Sequence, residues 1–300
     1  MPAVMSGFLA VGLLLLGPGA PARGEGTPKA FVAEDLRVHL AGNPSPDWNR
    51  VASLTFPLAL QTQEQTQDGN DAVRAVLAAV AQALGGLEPA RLSCADAVNA
   101  ALTSGFLADA GHPAPVAALR GRLVGCTEHA TPFDTVNTLL FQCRYGQQHQ
   151  PIVQAMVRQV VDLQRPDGRF AFPGVPLLPG YYLTSHAIVA LQVCGSAEGA
   201  VARGQAYLRS TLEPFRVQGF LDGLAESLIF LAWTGASGPE WPAYVAFLRA
   251  RILPDGGVCF ADRPACRGHW HTTSLMAEVE RLDHLPRTSG VLPRSPFAPP

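Results

Sequence analysis

From residue 71 onward the chain alternates between two kinds of helix-length run. Asp71–Val80 places apolar residues three and four apart behind an acidic start and stops at Gly85-Gly86, which predicts an amphipathic helix. The same spacing predicts helices over Ser93–Ala110, before Gly125, and over Phe133–Cys143, Pro151–Leu163 and Thr184–Val193. It continues with Ala200–Leu212, Leu221–Trp233, Trp241–Ile252 and Thr272–Leu282, about ten helices in five hairpins. The runs starting near Phe133, Thr184, Leu221 and Thr272 are rich in Ala, Leu, Ser and Thr and poor in charge. Those between them, such as Ile152–Leu163 and Tyr244–Arg251, carry more Arg, Gln and Asp. Such segregation fits an inner layer of buried helices surrounded by an outer amphipathic layer.

One unit occurs twice. Leu163-Gln164-Arg165-Pro166-Asp167-Gly168-Arg169-Phe170 ends one helix and Ile252-Leu253-Pro254-Asp255-Gly256-Gly257-Val258 ends another. In both, a hydroxyl-rich helix follows about 17 residues after the Asp, at Thr184 and at Thr272. Repeated helical hairpins build either an open solenoid or a closed ring. Residues 23–66 show no such order. Val51–Leu60 reads as a short strand or an irregular helix, and Pro57 weakens both, so 23–66 is expected to be an irregular segment.

Composition narrows the class. The chain has 300 residues, 48% hydrophobic and 15% charged, enough to bury a full core on more than one side of its helices. A net charge of −2 without a basic tract gives nucleic acid no electrostatic footprint. Phe8–Leu16 is an apolar core too short to span a bilayer, and Ala20-Pro21-Ala22 supplies a small-residue cleavage pattern. Residues 1–22 are therefore expected to be a signal peptide, with a secreted or periplasmic product and no stable membrane span after cleavage. An uncleaved anchor is the competing reading, because the n-region has no Lys or Arg. Residues 285–300 are proline-rich and read as a disordered tail.

Six cysteines in an exported chain point to disulfides. Cys259 and Cys266 bracket a loop short enough for one bridge to close. Cys94, Cys126, Cys143 and Cys194 could pair in several ways, and Cys143 and Cys194 also read as ordinary buried thiols.

The stretch 160–284 resembles the α/α-toroid repeats of terpenoid cyclases and protein prenyltransferase β-subunits, and the thioester domains of complement-like proteins. Gln164–Phe170 is similar to the Gln-x-x-x-Gly-x-Trp/Phe turn of cyclase repeats. The fold this implies is an all-α (α/α) toroid of about five to six helical hairpins over residues 67–284. The last hairpin, with His269-Trp270-His271-Thr272, is similar to the final prenyltransferase repeat, whose histidine ligates zinc; His271 takes that place. Asp222 matches the family's zinc-ligating Asp, but Leu224 stands where the Cys belongs, so the zinc thiolate site is incomplete. Gly125-Cys126-Thr127-Glu128-His129 is similar to the thioester motif, with His129 in place of the Gln that condenses with Cys.

In a ring of helices a pocket belongs at the mouth formed by the inner N-termini. Asp222 and Glu226 lie four apart on one face and could divide acid and base roles, with His271 as third candidate. Asp134, Tyr182, His186 and Trp270 are the candidate ligand contacts. Asp134, Thr184 and Asp222 are equally explained as helix N-caps, and the aromatic residues as core. His269, His271, Cys266 and Asp262 have the element types of a metal site, but Cys266 is better used by Cys259, so no metal or cofactor is expected, zinc being the only candidate. The expected function is binding of a small molecule, a polymer or a protein partner in or at a central cleft, without zinc or thioester chemistry. An enzyme using Asp222, Glu226 and His271, of cyclase, prenyltransferase or polysaccharide-degrading type, is the alternative, and a structural partner module is the third reading.

Overall fold

The computed structural model describes residues 26–43, 45–64, 71–126, 131–145, 150–171 and 180–285. The expected signal peptide, most of the expected tail and residues 127–129 of the thioester-like motif lie outside them. Among the described residues the protein is all-α, with twelve α-helices and no strand. They are α1 (Pro28–Ala41), α2 (Trp48–Glu64), α3 (Asp71–Gly85), α4 (Cys94–Asp109), α5 (Val116–Val124) and α6 (Pro132–Tyr145). Then follow α7 (Pro151–Asp162), α8 (Gly180–Val193), α9 (Glu198–Gln218), α10 (Leu221–Trp233), α11 (Trp241–Arg249) and α12 (Trp270–His284). No helix among the described residues is long and apolar enough to cross a membrane.

The expectation of an irregular segment over 23–66 is corrected: it holds α1 and α2. Pro57 sits inside α2 without ending it. The helix keeps its place because Val51, Leu54 and Leu58 are fully buried, so tertiary packing outweighs the loss of one backbone hydrogen bond.

The even-numbered helices touch one another in chain order, α2 on α4, α4 on α6, α6 on α8, α8 on α10 and α10 on α12, and α12 returns to α2. Each odd-numbered helix lies against both its even-numbered neighbours, except α7, which packs mainly on α6. Burial follows this division. All thirteen residues of α10 are buried, whereas α7 buries only Val153, Met156, Val157 and Val160. A helix apolar all round needs neighbours on every side, while an amphipathic one needs them along one stripe.

The sequence repeat is a structural repeat. Gln164 pairs with Phe170 and Ile252 with Val258 in isolated antiparallel bridges. Between them Gly168 and Gly256 adopt φ of +89° and +85°, which glycine reaches without strain. The bridges are anchored alike: Phe170 N–H donates to Thr184 Oγ1 and Val258 N–H to Thr273 Oγ1, both at 2.9 Å. Thr184 is therefore not an N-cap as expected. It stands one turn inside α8, and its hydroxyl is the bridge's acceptor.

Three disulfides are present, Cys94–Cys126, Cys143–Cys194 and Cys259–Cys266. The last was the expected pair. Cys143 and Cys194 are not free buried thiols, because α6 and α8 pack side by side and bring their Cα atoms within 5.1 Å. Cys126 is bonded to Cys94, which independently removes it from thioester chemistry.

Candidate functional site

Helix α10 carries two carboxylates into the core. Asp222 is 2% exposed and Glu226 1%, in a helix with no exposed residue. Burying an ionised carboxylate is costly unless charge and hydrogen bonds compensate it. The two residues meet that requirement differently.

Asp222 is fully partnered. Its Oδ1 accepts from His271 Nδ1 at 2.9 Å and from Thr272 Oγ1 at 2.7 Å, both from the first turn of α12. Its Oδ2 accepts from Tyr181 OH of α8 at 3.3 Å. Burial pushes the Asp222 carboxyl up, and the facing His271 charge with the two hydrogen bonds outweighs it, leaving the pKa below the ordinary value. For His271, burial opposes the charge and Asp222 more than restores it, so the pKa is pushed up to about 9. At neutral pH the pair is therefore aspartate and imidazolium, with the ring orientation fixed through Nδ1. Asp222 is not an N-cap either; α10 begins behind Phe220 without a side-chain cap.

Glu226, one turn further on, is only half satisfied. Ser185 Oγ donates to its Oε1 at 2.5 Å, whereas Oε2 is buried with no partner. Burial dominates and the Asp222 charge adds to it, against His271 and the serine, so the pKa rises to about 8. Glu226 is thus largely a carboxylic acid at neutral pH. His186, at the middle of α8, faces Glu226 with Nε2 4.0 Å from Oε1. Its Nδ1 lies 2.9 Å from Asn137 Oδ1. Burial, with His271 nearby, depresses its pKa to about 3, so the ring is neutral, donates to Asn137 and keeps a lone pair on Nε2.

These groups border a central cavity of about 110 Å³ to which every even-numbered helix contributes: Phe56 of α2, Phe106 of α4, Phe133 of α6, His186 of α8, Glu226 of α10 and His271 of α12. The wall is largely aromatic. Phe133 stacks on Tyr182 with centroids 4.9 Å apart, and Phe56 stands edge-on to Phe106 and Trp233. At another point Glu278 is locked by Arg281, through both oxygens, and by Trp233 Nε1 at 2.9 Å. That carboxylate is neutralised and satisfied. A larger groove of about 1120 Å³ runs between α1 and α3, but it is open, alanine is its commonest lining residue, and its Glu34–Arg37 pair is a solvent-exposed ion pair. The buried titratable groups border the smaller, central space.

Of the residues expected at the site, Asp222, Glu226, His271, Tyr182 and His186 come together. Asp134 and Trp270 do not line the cavity. Asp134 forms a reciprocal capping box with Thr131, so its side chain serves the start of α6. Trp270 stacks on His269 with Arg50 over its ring. The expected cluster of His269, Cys266 and Asp262 with His271 is not assembled, since Cys266 is bridged to Cys259 and Asp262 is paired with Arg251 at 2.7 Å. Instead, ligand atoms of Asp222, Glu226 and His271 lie within 4.8 Å of one another, a carboxylate–histidine set that could hold a cation. Ser185, Asn137 and Glu278 carry no local signal of their roles. Ser185 could have been found from the repeat, in which Thr184-Ser185 corresponds to Thr273-Ser274.

The loop closed by Cys259–Cys266 buttresses the site from behind. Phe260 O accepts from Asp222 N–H at 3.1 Å, Asp262 N–H donates to Gly219 O at 2.7 Å, and Val258 O accepts from His269 N–H at 2.8 Å. One strap thus sets the starts of α10 and α12, the two helices that carry Asp222 and His271.

No family model and no curated protein matches the sequence. Among solved structures, the chain is similar to a protein from Actinoplanes, with a TM-score of 0.57 and 14% identity over 84% of this chain and 98% of that one. At that identity the likeness speaks for the fold alone.

Proposed function

We propose that this chain is an exported α/α toroid whose central cavity binds a small organic ligand. The succession of even-numbered helices from α2 to α12 and back to α2, with the odd-numbered helices outside, supports the toroid. Three disulfides support export, since such bridges persist in oxidising compartments. The observation that carries the ligand reading is Glu226 Oε2, a carboxyl oxygen buried in the cavity wall without a partner. Folded proteins leave few such atoms, and one costs about 1–3 kcal/mol. A ligand group that reaches it recovers that cost. The cavity is far smaller than the several hundred Å³ of a drug-sized site, so the ligand has only a few heavy atoms.

The test is a fragment set of very small molecules screened by ligand-observed NMR against the wild-type protein and Glu226→Leu. Hits that disappear in the variant while its circular dichroism stays helical support the reading. A set of hits indifferent to Glu226, or no hits, overturns it.

A second reading is an enzyme, and the raised pKa of Glu226 beside the Asp222–His271 pair is what favours it. A neutral acid at pH 7 can protonate a bound oxygen or carbon, and Asp222 holds the neighbouring imidazolium in place. Chemical conversion of a cavity ligand, abolished in Glu226→Gln with binding retained, distinguishes this reading from simple binding.

A further inference from the structure

The succession of even-numbered helices is continuous in sequence everywhere but at one place. Each neighbouring pair from α2 to α12 is joined through the odd-numbered helix between them, whereas α12 and α2 meet with no chain linking them. Helix α1 covers that join. In the first Pro-Asp-Gly turn, Gly168 has no room for a Cβ, because the backbone of Arg203 in α9 stands against it. In the second, Gly256 is crowded in the same way by the backbone of Gly26 and Thr27, and Gly26 N–H donates to Pro254 O at 3.2 Å. Thr27 is the N-cap of α1. The start of α1 thus meets the second turn as α9 meets the first, and takes the place of an odd-numbered helix after α12.

This join is held by packing, whereas its counterparts are locked. From α4 onward each even-numbered pair is tied by a side-chain hydrogen bond: Tyr145 OH to Asp109, His186 to Asn137, Ser185 to Glu226, and Thr272 to Asp222. None of the three disulfides reaches α1 or α2. At the join the Phe31 ring of α1 lies over Gly257 and Gly268. Arg50 of α2, paired with Asp35 of α1 at 2.5 Å, sets its guanidinium 5.9 Å from the centre of the Trp270 ring. Such a half-exposed cation–π contact is weak. Helix α2 is also poorly satisfied. Pro57 deprives it of a backbone hydrogen bond, and Thr55 Oγ1 and Gln61 Oε1 are buried without partners. Elements of this kind are the first to open locally.

We propose that the seam between α2 and α12 is the entrance to the central cavity and that α1 is the clasp that closes it. The faces that part there carry Asn49 and Ser53 of α2 and His271 and Ser274 of α12, all in the cavity lining, so an opening at the seam leads straight inside. The proposal deepens the reading of the cavity as a ligand site and rests on the closed ring in that reading. It supplies the path into a space walled by aromatic side chains.

Ser274→Cys places one thiol in the cavity wall of a chain whose own cysteines are all bridged. Its rate of reaction with methyl methanethiosulfonate, measured on the full chain without denaturant, reads how often the cavity opens. Phe31→Ala in this background is expected to raise the rate about tenfold, through loss of a half-buried aromatic contact. Asp35→Asn, a milder change that releases Arg50, is expected to raise it as well. Arg203→Ala removes the donor to Gln164 Oε1 at the first turn, where the chain is continuous, and is expected to leave the rate unchanged. Hydrogen exchange is expected to group α1 with the first turns of α2 and α12 in one opening unit, less protected than α8 and α10. A rate unmoved by both seam variants, moved equally by Arg203→Ala, or no faster than global unfolding in urea permits overturns the entrance. The labelling needs no ligand, so a fragment screen without hits overturns the ligand reading while seam-dependent labelling still upholds the entrance.

Discussion

His271 Nδ1 lies 2.9 Å from Asp222 Oδ1, and the next residue, Thr272, donates to the same oxygen at 2.7 Å. Two consecutive residues of α12 thereby grip one oxygen of α10. Each partner keeps the other charged in a place where neither would be charged alone. The raised pKa of His271 contributes stability that is complete below its ordinary value of 6.5 and lost as pH rises through about 9. The lowered pKa of Asp222 contributes stability that is present above 3.8 and lost as pH falls below it. The pair is a working unit from mildly acidic to mildly alkaline pH.

Asp222→Asn removes the countercharge and leaves burial as the main influence on the imidazole. The His271 pKa is expected to fall from about 9 to below 6.5, read from the ring proton shift in an NMR titration. Breaking a buried pair costs about 3–5 kcal/mol, tempered here because His271 can shed its proton, so a loss of about 3 kcal/mol at pH 7 is expected. A His271 pKa that stays above 8 would show that Asp222 is not what holds the charge.

Glu226 acts on stability in the opposite sense to an ordinary paired carboxylate. Its folded pKa of about 8 stands above the ordinary 4.5, so between those values the unfolded chain ionises while the folded one keeps its proton. Stability therefore falls as pH rises through that window, by about 5 kcal/mol for this one group. Glu226→Gln cannot ionise and is expected to flatten the fall in urea-unfolding free energy between pH 5 and pH 8, becoming more stable than the wild type at the alkaline end. Glu226 is one of the groups that raise the His271 pKa, so the His271 titration is measured in both proteins and its contribution subtracted.

The two halves of this site were unequally visible in the sequence. Asp222 and Glu226 could be paired because four residues in a helix fix their common face, and the apolar run of α10 could be recognised as a buried helix. His271 came from a resemblance to a repeat. Ser185, Asn137 and Glu278 come to the cavity from three different helices, and nothing local announces which buried serine or asparagine meets a carboxylate 41 residues away. The hairpins after residue 71 were legible from their period and their Pro-Asp-Gly stops. Helices α1 and α2 were not, because Pro57 breaks the local rule and the packing that overrides it is contributed by α4 and α12. The Cys143–Cys194 bridge depends on α6 lying beside α8, a fact of assembly with no trace in residue spacing.

The disulfides are expected to divide stability from site geometry. Cys143–Cys194 spans 51 residues, for which chain entropy gives about 4 kcal/mol, and Cys259–Cys266 spans 7, for which it gives about 2–3 kcal/mol. The double alanine variant of the first pair should lose more stability in urea yet leave the His271 pKa near its wild-type value. The variant of the second pair should lose less but lower the His271 pKa, because the strap that receives Asp222 N–H and His269 N–H is loosened. A uniform effect of both pairs on His271 would deny the strap its positioning role.

Metal content decides whether the cluster serves hydrogen bonding or coordination. Asp222, Glu226 and His271 bring ligand atoms within 4.8 Å, and a divalent ion would need the proton of Glu226 removed and His271 neutral. Both conditions run against the pKa values of about 8 and about 9 in the metal-free site. At pH 7 displacing these protons costs roughly 4 kcal/mol before any bond to the ion is formed, and no thiolate is present to repay it, since Leu224 stands beside Asp222 and all six cysteines are in disulfides. Protein purified without chelator at pH 7 is therefore expected to carry far less than one equivalent of zinc by plasma mass spectrometry, with occupancy rising steeply when zinc is offered above pH 8. Stoichiometric zinc at pH 7, lost in His271→Ala, would overturn this and make the Asp222–His271 contact one edge of a coordination site.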